Sequence, residues 1–77
     1  MKLSELKPGA LAIVSKFSDN DPHKTLSNRI MEMGMTVGSQ VKVEHEAPFG
    51  GAIAVRCRGT LIALRLEDAE IVEVNPA

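Results

Sequence analysis

The chain has 77 residues, which suffices for one small domain but not for two, so we expect a single domain over residues 1–77. Hydrophobic residues make up 44% of the chain and its only aromatic residues are two phenylalanines, so the core should be aliphatic. The formal net charge of -1 argues against nucleic acid and anionic lipid as partners. No apolar run is long enough for direct membrane insertion, and a single cysteine fits a reducing compartment, so we expect a cytoplasmic protein.

The first predicted strand follows a Pro-Gly turn signal near the N-terminus. Over residues 10–17 the apolar positions Leu11, Ile13 and Phe17 alternate with a second face. Alternation of this kind is typical of a strand that is buried on one face and partly covered on the other. A polar turn cluster, SDNDP, then ends the strand.

The next segment predicts a helix, a stop and a tight turn. Helical spacing covers residues 23–33, with Asp21 as the expected N-cap and Pro22 at the first helical position. Gly34 stands where a helix C-terminus favours a residue with positive φ. Gly38 stands where a turn leads into the following strand. This segment is the element around which the rest of the chain is arranged.

The faces of the predicted helix suggest that one apolar side chain is left for a partner. At about 100° per residue, Leu26, Ile30 and Met33 lie on one stripe, whereas Met31 points about 100° away from Ile30. Unbranched methionines fill gaps in a core or adapt to a binding partner, and we prefer both interpretations for Met31, Met33 and Met35 over thioether ligation of a metal.

The second half of the chain is strand-rich. Apolar alternation predicts strands at residues 40–46, 52–58, 61–66 and 70–74. A tight hairpin over residues 58–60 joins two of them, and residues 67–69 form a single turn, interpreted as helical. Five short strands and one helix favour a mainly β fold, a small and partly open barrel, because closure hides the edges of the sheet.

Candidate catalytic and metal-binding residues form no recognisable motif. Cys57 is in phase with the predicted core face of its strand, so we interpret it as a small buried hydrophobe rather than a reactive thiol. Two acidic clusters also contain histidine, but neither has the spacing of a specific metal site: Asp19, Asp21 and His23; Glu44, His45 and Glu46. We therefore expect no catalytic residues, no metal site and no cofactor.

Several stretches resemble one family over nearly the whole chain. The most specific is RIMEMGM at residues 29–35, followed by Val37 and Gly38, and a second is Ala47-Pro48 followed by Gly50. With the C-terminal RGTLIALRLEDAEIVEV, these stretches are similar to the FeoA family, small cytoplasmic partner proteins of ferrous iron transport. The resemblance implies an SH3-like β-barrel with a helical insertion between strands one and two. It also implies no catalysis and a role in ferrous iron uptake through a membrane transporter that carries a cytoplasmic G-protein domain.

Three hypotheses follow. The first is an interaction module that docks on the cytoplasmic part of the transporter through apolar residues of the helix and of the loop after the second strand. Those candidate contact residues are Leu26, Ile30, Met31, Met33, Met35, Pro48 and Phe49. The second is a sensor or delivery domain that binds ferrous iron through His23, His45 and nearby carboxylates. The third is a weakly self-associating module, which predicts a dimer. Similar SH3-like domains also end iron-dependent repressors, so the fold alone leaves that class open.

Overall fold

The computed structural model describes residues 1–21 and 23–77, so the predicted place of Pro22 in the helix lies outside the described residues. Along those ranges, a 3₁₀ turn at Leu3–Glu5 precedes five strands and two helices. In chain order these are β1 (Leu11–Phe17), α1 (Thr25–Glu32), β2 (Gln40–Glu46), β3 (Ala52–Cys57), β4 (Thr60–Arg65), α2 (Leu66–Ala69) and β5 (Val72–Pro76). The predicted boundaries lie within two residues of these, and the predicted helical turn at residues 67–69 is confirmed as part of α2.

The five strands form one antiparallel sheet in the order β4, β3, β2, β1, β5. Because α1 is inserted between β1 and β2, the prediction of a mainly β fold with a helical insertion is confirmed. One extra residue bulges from β1 at Ser15 and one from β2 at Glu44. Bulges bend a strand and increase its twist, which lets a small sheet curl around its own core.

The core is aliphatic, as the composition predicts. Every strand contributes to it, together with the N-terminal turn, α1 and the residue that follows the helix stop. The completely or almost completely buried side chains are Leu3, Ala12, Val14, Ile30, Met35, Val41, Val43, Ile53, Val55, Cys57, Ile62, Leu64, Ala69, Val72 and Val74. Cys57 is therefore a core residue, in agreement with its interpretation as a buried hydrophobe.

The predicted apolar face of β1 is wrong. Leu11 is exposed and Ile13 is half-buried, whereas Ala12 and Val14 on the opposite face are buried. The bulge after Val14 shifts the alternation by one residue, so that Phe17 packs against the core on the same side as Val14. A simple alternation over the whole strand cannot describe both halves, because the bulge reverses the phase between them.

A second bulge interrupts the alternation along β2. Regular alternation would place His45 on the same face as Val41 and Val43; the two valines are buried, but His45 does not continue their face. The bulge at Glu44 places His45 opposite Ala54 on the outer surface of the sheet, and the histidine is exposed. The histidine of this strand is therefore turned away from the core.

The tight β3–β4 hairpin predicted over residues 58–60 is present, and its loop consists of two residues, Arg58 and Gly59. Both have positive φ, 53° and 81°, which is the backbone that the favoured two-residue hairpin turn requires. Alternation along β4 then buries Ile62 and Leu64. Regular alternation would also place Leu66 on this face, but α2 begins at this residue and its side chain is exposed.

Candidate docking surface

A carboxylate from the preceding turn holds the start of α1. Asp21 Oδ2 accepts hydrogen bonds from the Ser27 N–H at 2.8 Å and from the Ser27 hydroxyl at 2.9 Å. The backbone bond foremost, and the hydroxyl bond with it, lower the pKa of Asp21 below its ordinary value of 3.8, because both stabilise the charged carboxylate. Asp21 thus satisfies a free N–H of the helix, although the N-cap position itself is occupied by Lys24 and α1 begins at Thr25, later than predicted.

The end of α1 has the hydrogen-bond pattern of a helix stop built on glycine. Gly34 has φ of +110°, its N–H bonds the Met31 carbonyl at 3.0 Å, and the Met35 N–H bonds the Ile30 carbonyl at 3.4 Å. Ile30 and Met35, which this pattern brings together, are both completely buried. Cys57 Sγ lies 3.6 Å from the Gly34 carbonyl oxygen and ties the stop to the end of β3.

A second turn follows at residues 36–39. The Ser39 N–H bonds the Thr36 carbonyl at 3.0 Å, and the two hydroxyl groups lie 3.0 Å apart. Gly38, with φ of +91°, supplies the positive φ that the third position of such a turn favours, and its N–H bonds the Val14 carbonyl at 2.8 Å. Val37 is left at the tip, 58% exposed. Residues 25–39 therefore form one firmly held unit, the helix–turn segment.

The predicted core stripe of α1 needs correction. Ile30 is buried as predicted, but Met33 is 37% exposed and Leu26 is only half-buried. Met31, predicted to lie off the core, is half-buried, and the methionine that enters the core is Met35, beyond the helix end. The reason is that the glycine stop turns the chain back towards the sheet immediately after Met33, which helical spacing cannot anticipate.

The burial of the seven candidate contact residues divides them into two groups. Ile30 and Met35 are completely enclosed, so they support a contact surface from beneath and cannot touch a partner. The other five present at least part of their side chains to solvent: Leu26, Met31, Met33, Pro48 and Phe49. Val37 is exposed and apolar but was not among the predicted residues; its position at the second place of the Thr-Val-Gly-Ser turn is the signal that identifies it.

Pro48 and Phe49 lie in the loop between β2 and β3, residues 47–51. Its base is closed by the Ala47 N–H bonding the Ala52 carbonyl and by the Gly50 N–H bonding the Ala47 carbonyl, both at 3.0 Å. The Phe49 side chain is fully exposed. An aromatic side chain without any shielding is unusual in a small domain and is a typical anchor in protein interfaces.

The helix–turn segment and the β2–β3 loop lie at opposite ends of β3. Gly34 is next to Cys57, the last residue of that strand, whereas the loop leads directly into Ala52, its first residue. A strand of six residues is about 17 Å long at about 3.3 Å per residue. The structure therefore offers two separate apolar patches, not one continuous surface.

The histidines and carboxylates considered for metal binding have other partners or lie apart. Asp21 is engaged with Ser27, and Glu44 accepts a hydrogen bond from Arg56 Nε at 3.0 Å. Within residues 1–21 and 23–77 there is no group of three or more histidine, cysteine, aspartate or glutamate side chains placed to hold a metal ion. In the same ranges no cavity opens, and no helix has the length and apolar character needed to cross a membrane.

Known proteins match the chain over nearly its full length. Residues 1–76 match the family model of the FeoA domain. The chain is 32% identical over 75 residues to a Campylobacter jejuni protein provisionally named Fe(2+) transport protein A, and the match covers 97% of each. The FeoA protein of Chlorobium tepidum has a TM-score of 0.84 at 37% identity, over 99% of this chain and 70% of that one.

The zinc complex of FeoA from Stenotrophomonas maltophilia has a TM-score of 0.86 at 30% identity, over 97% of this chain and 89% of that one. That protein is described as a prokaryotic SH3-domain protein and as a candidate activating factor of ferrous iron transport. The resemblance inferred from residues 29–38 and from the later stretches is thereby confirmed. Since the family model covers residues 1–76 and the five-stranded sheet of this chain matches the structure of a FeoA protein described as an SH3-domain protein, this chain belongs to the FeoA domain family.

Proposed function

We propose that this chain is a cytoplasmic accessory protein of ferrous iron uptake, without catalytic activity of its own. In this proposal it docks on the cytoplasmic part of a ferrous iron transporter that carries a G-protein domain, and it modulates transport. Membership of the FeoA family and the similarity to a protein provisionally named Fe(2+) transport protein A support the iron-transport role. The description of the Stenotrophomonas maltophilia relative as a candidate activating factor supports the regulatory role.

The observation that carries the docking proposal is the exposure of Met33 and Val37 on a backbone that is fixed from beneath. Ile30 and Met35 anchor the helix–turn segment in the core, and the Gly34 stop is bonded to β3. A partner that covers Met33 and Val37 gains apolar burial and orders little backbone, which lowers the entropic cost of binding. Half-buried Leu26 and Met31 would extend the contact, and a thioether side chain can adapt to the partner surface.

Pro48 and Phe49 are proposed as a second contact. An interface of ordinary size covers about 800 Å² per partner, enough to reach from one end of β3 to the other. The loop contact therefore adds to the helix–turn contact.

The test is an NMR titration of the isotope-labelled chain with the cytoplasmic part of the transporter, with and without guanine nucleotide. We expect shifts concentrated in residues 31–38, with a smaller set at residues 48–50. Met33→Glu should weaken binding about tenfold or more, because it buries an unpaired carboxylate in an apolar contact. The matched control is Leu11→Glu, which alters a leucine of similar exposure, 42%, on the sheet surface and should bind like the unaltered chain.

Two results would count against this proposal. If folded Met33→Glu binds as tightly as the unaltered chain, the helix–turn segment is not the contact, and shifts confined to the loop would transfer the role to Phe49. If no shifts appear at high concentration, the chain does not dock on the cytoplasmic part of the transporter.

A further inference from the structure

The two edge strands of the sheet are treated differently. β5 forms one edge and β4 the other. Unpaired backbone groups on a sheet edge can pair with another chain, and proteins usually block them with a covering segment, a proline or a charged side chain. The two edges therefore differ in how many of their outward backbone N–H and C=O groups are blocked.

The β5 edge is blocked twice. The Val74 N–H, which faces away from β1, donates to the Met1 carbonyl at 2.8 Å, and Lys2 forms a bridge with Glu73. Pro76 lies two residues further along β5, so its backbone nitrogen also faces away from β1, and as a proline it has no N–H group to donate. The N-terminal segment and the proline leave little of this edge open to a further strand.

Within the described residues, the β4 edge has neither a covering segment nor a proline. Cys57 pairs with Thr60 across the two-residue hairpin loop, and the Leu66 N–H bonds the Gly51 carbonyl at 2.8 Å. In an antiparallel ladder the hydrogen-bonded residues alternate, so residues 60, 62, 64 and 66 bond to the β3 side. Leu61 and Ala63 then direct their N–H and C=O groups outwards, and within the described residues no other backbone segment bonds to them.

The side chains around these free groups are apolar and exposed. Leu61 is 46% exposed and Ala63 is exposed beside it, while the charged residue of the strand, Arg65, lies at its far end next to Glu67 at 3.8 Å. Arg56 of β3, which lies opposite Leu61, is paired with Glu44 at 3.0 Å. β4 thus combines an open ladder with two apolar residues on its outer face, Leu61 and Ala63. These are the properties that favour addition of a further strand.

We propose that the β4 edge pairs with β4 of a second copy of this chain, antiparallel across a twofold axis at Ile62. In this register Leu61 of one copy faces Ala63 of the other, so the four free groups of each edge are used in four hydrogen bonds between copies. Leu61 packs beside Ala63 on the outer face, and Arg65 lies opposite Gly59, so no charged side chain stands directly opposite a like charge. Because this register uses every free group of both edges, it favours a second copy as the occupant.

The contact is small, so the expected dimer is weak, with a Kd of about 0.1 to 1 mM. This inference does not depend on the proposed transporter contact, because it uses a different surface. An experiment can therefore contradict the dimer proposal and leave the transporter proposal standing, or the reverse.

The experiment is sedimentation over a concentration series up to about 2 mM, which is about two to twenty times the expected Kd, combined with NMR of a mixture of differently labelled chains. We expect a monomer–dimer equilibrium, contacts between Leu61 of one chain and Ala63 of the other, and slower exchange of both amides as concentration rises. Leu61→Lys should weaken dimerisation at least tenfold by placing a charge in the contact. Ala63→Pro should do the same by removing an outward N–H without touching the β3 ladder.

Leu11→Lys is the matched control, because it changes a leucine of similar exposure on β1, a strand that is paired on both sides. It should dimerise like the unaltered chain. A chain that remains monomeric over the whole series overturns the proposal and leaves the edge to a strand from another protein. So does a dimer that survives Leu61→Lys in a variant whose NMR spectrum shows it to be folded.

Discussion

The helix–turn segment and the β2–β3 loop both carry exposed apolar side chains on glycine-rich turns, but they are supported in different ways. The first is held by Asp21 at its start, by Ile30 and Met35 in the core, and by the contact between Gly34 and Cys57 at its stop. The second is closed by short backbone bonds at its base, and Phe49 lies entirely in solvent. An exposed apolar residue can therefore belong to an element anchored in the core, or it can be a side chain without a structural role.

The largest expected effect comes from breaking the buried support of the helix–turn segment. Ile30→Ala should lower the free energy of unfolding by about 2 to 5 kcal/mol, because it removes a completely enclosed side chain and leaves a cavity. Urea denaturation monitored by circular dichroism measures this change. Met33→Ala, on the exposed side of the same segment, is the control and should cost much less. Equal losses from both variants would show that the segment has no distinct inner face.

A smaller effect is expected from Asp21, and it should depend on pH. The folded pKa is lowered below 3.8, so the carboxylate stabilises the fold at neutral pH, and this contribution is lost as pH falls below 3.8 and through the folded value. The stability difference between the unaltered chain and Asp21→Asn should therefore be constant from pH 7 to about 5 and shrink below about pH 4. Thermal denaturation of both proteins at matched pH values measures it. A difference that is independent of pH would mean that the charge on Asp21 does not contribute.

The smallest effect on stability is expected in the β2–β3 loop. Phe49→Ala should change the free energy of unfolding by no more than about 0.5 kcal/mol, because the ring buries no surface in the isolated chain. The same urea measurement used for Ile30→Ala checks it. A substantial loss of stability would show that Phe49 packs on the domain in solution, and it would remove the distinction between the two regions.

Local signals predicted much of this fold, because the constraints that act at turns are local. Gly34, Gly38 and the Arg58-Gly59 pair adopt the positive φ angles that mark a helix stop, a tight turn and a hairpin. Strand boundaries followed from alternation between those turns, and β2 lies where it was predicted. The family resemblance also rested on residues at these turns.

The faces of elements were harder to predict, because they depend on what the element packs against. The bulges at Ser15 and Glu44 reverse the alternation within β1 and β2, so Leu11 and His45 lie outside where a regular strand would place them on the inner face. The candidate contact residues show the same limit, since Met35 is buried and Met33 exposed. The two residues differ in burial because the chain reverses between them.

Residue types at given spacings therefore sufficed to predict the order of elements, the positions of the turns, the aliphatic core and the family. Which apolar side chains remain exposed and which sheet edge stays open were visible only in the folded chain. Those properties arise from bulges, from the return of the chain after Gly34 and from the N-terminal segment that covers β5 but not β4. They are set by contacts between residues far apart in the chain, which no local pattern records.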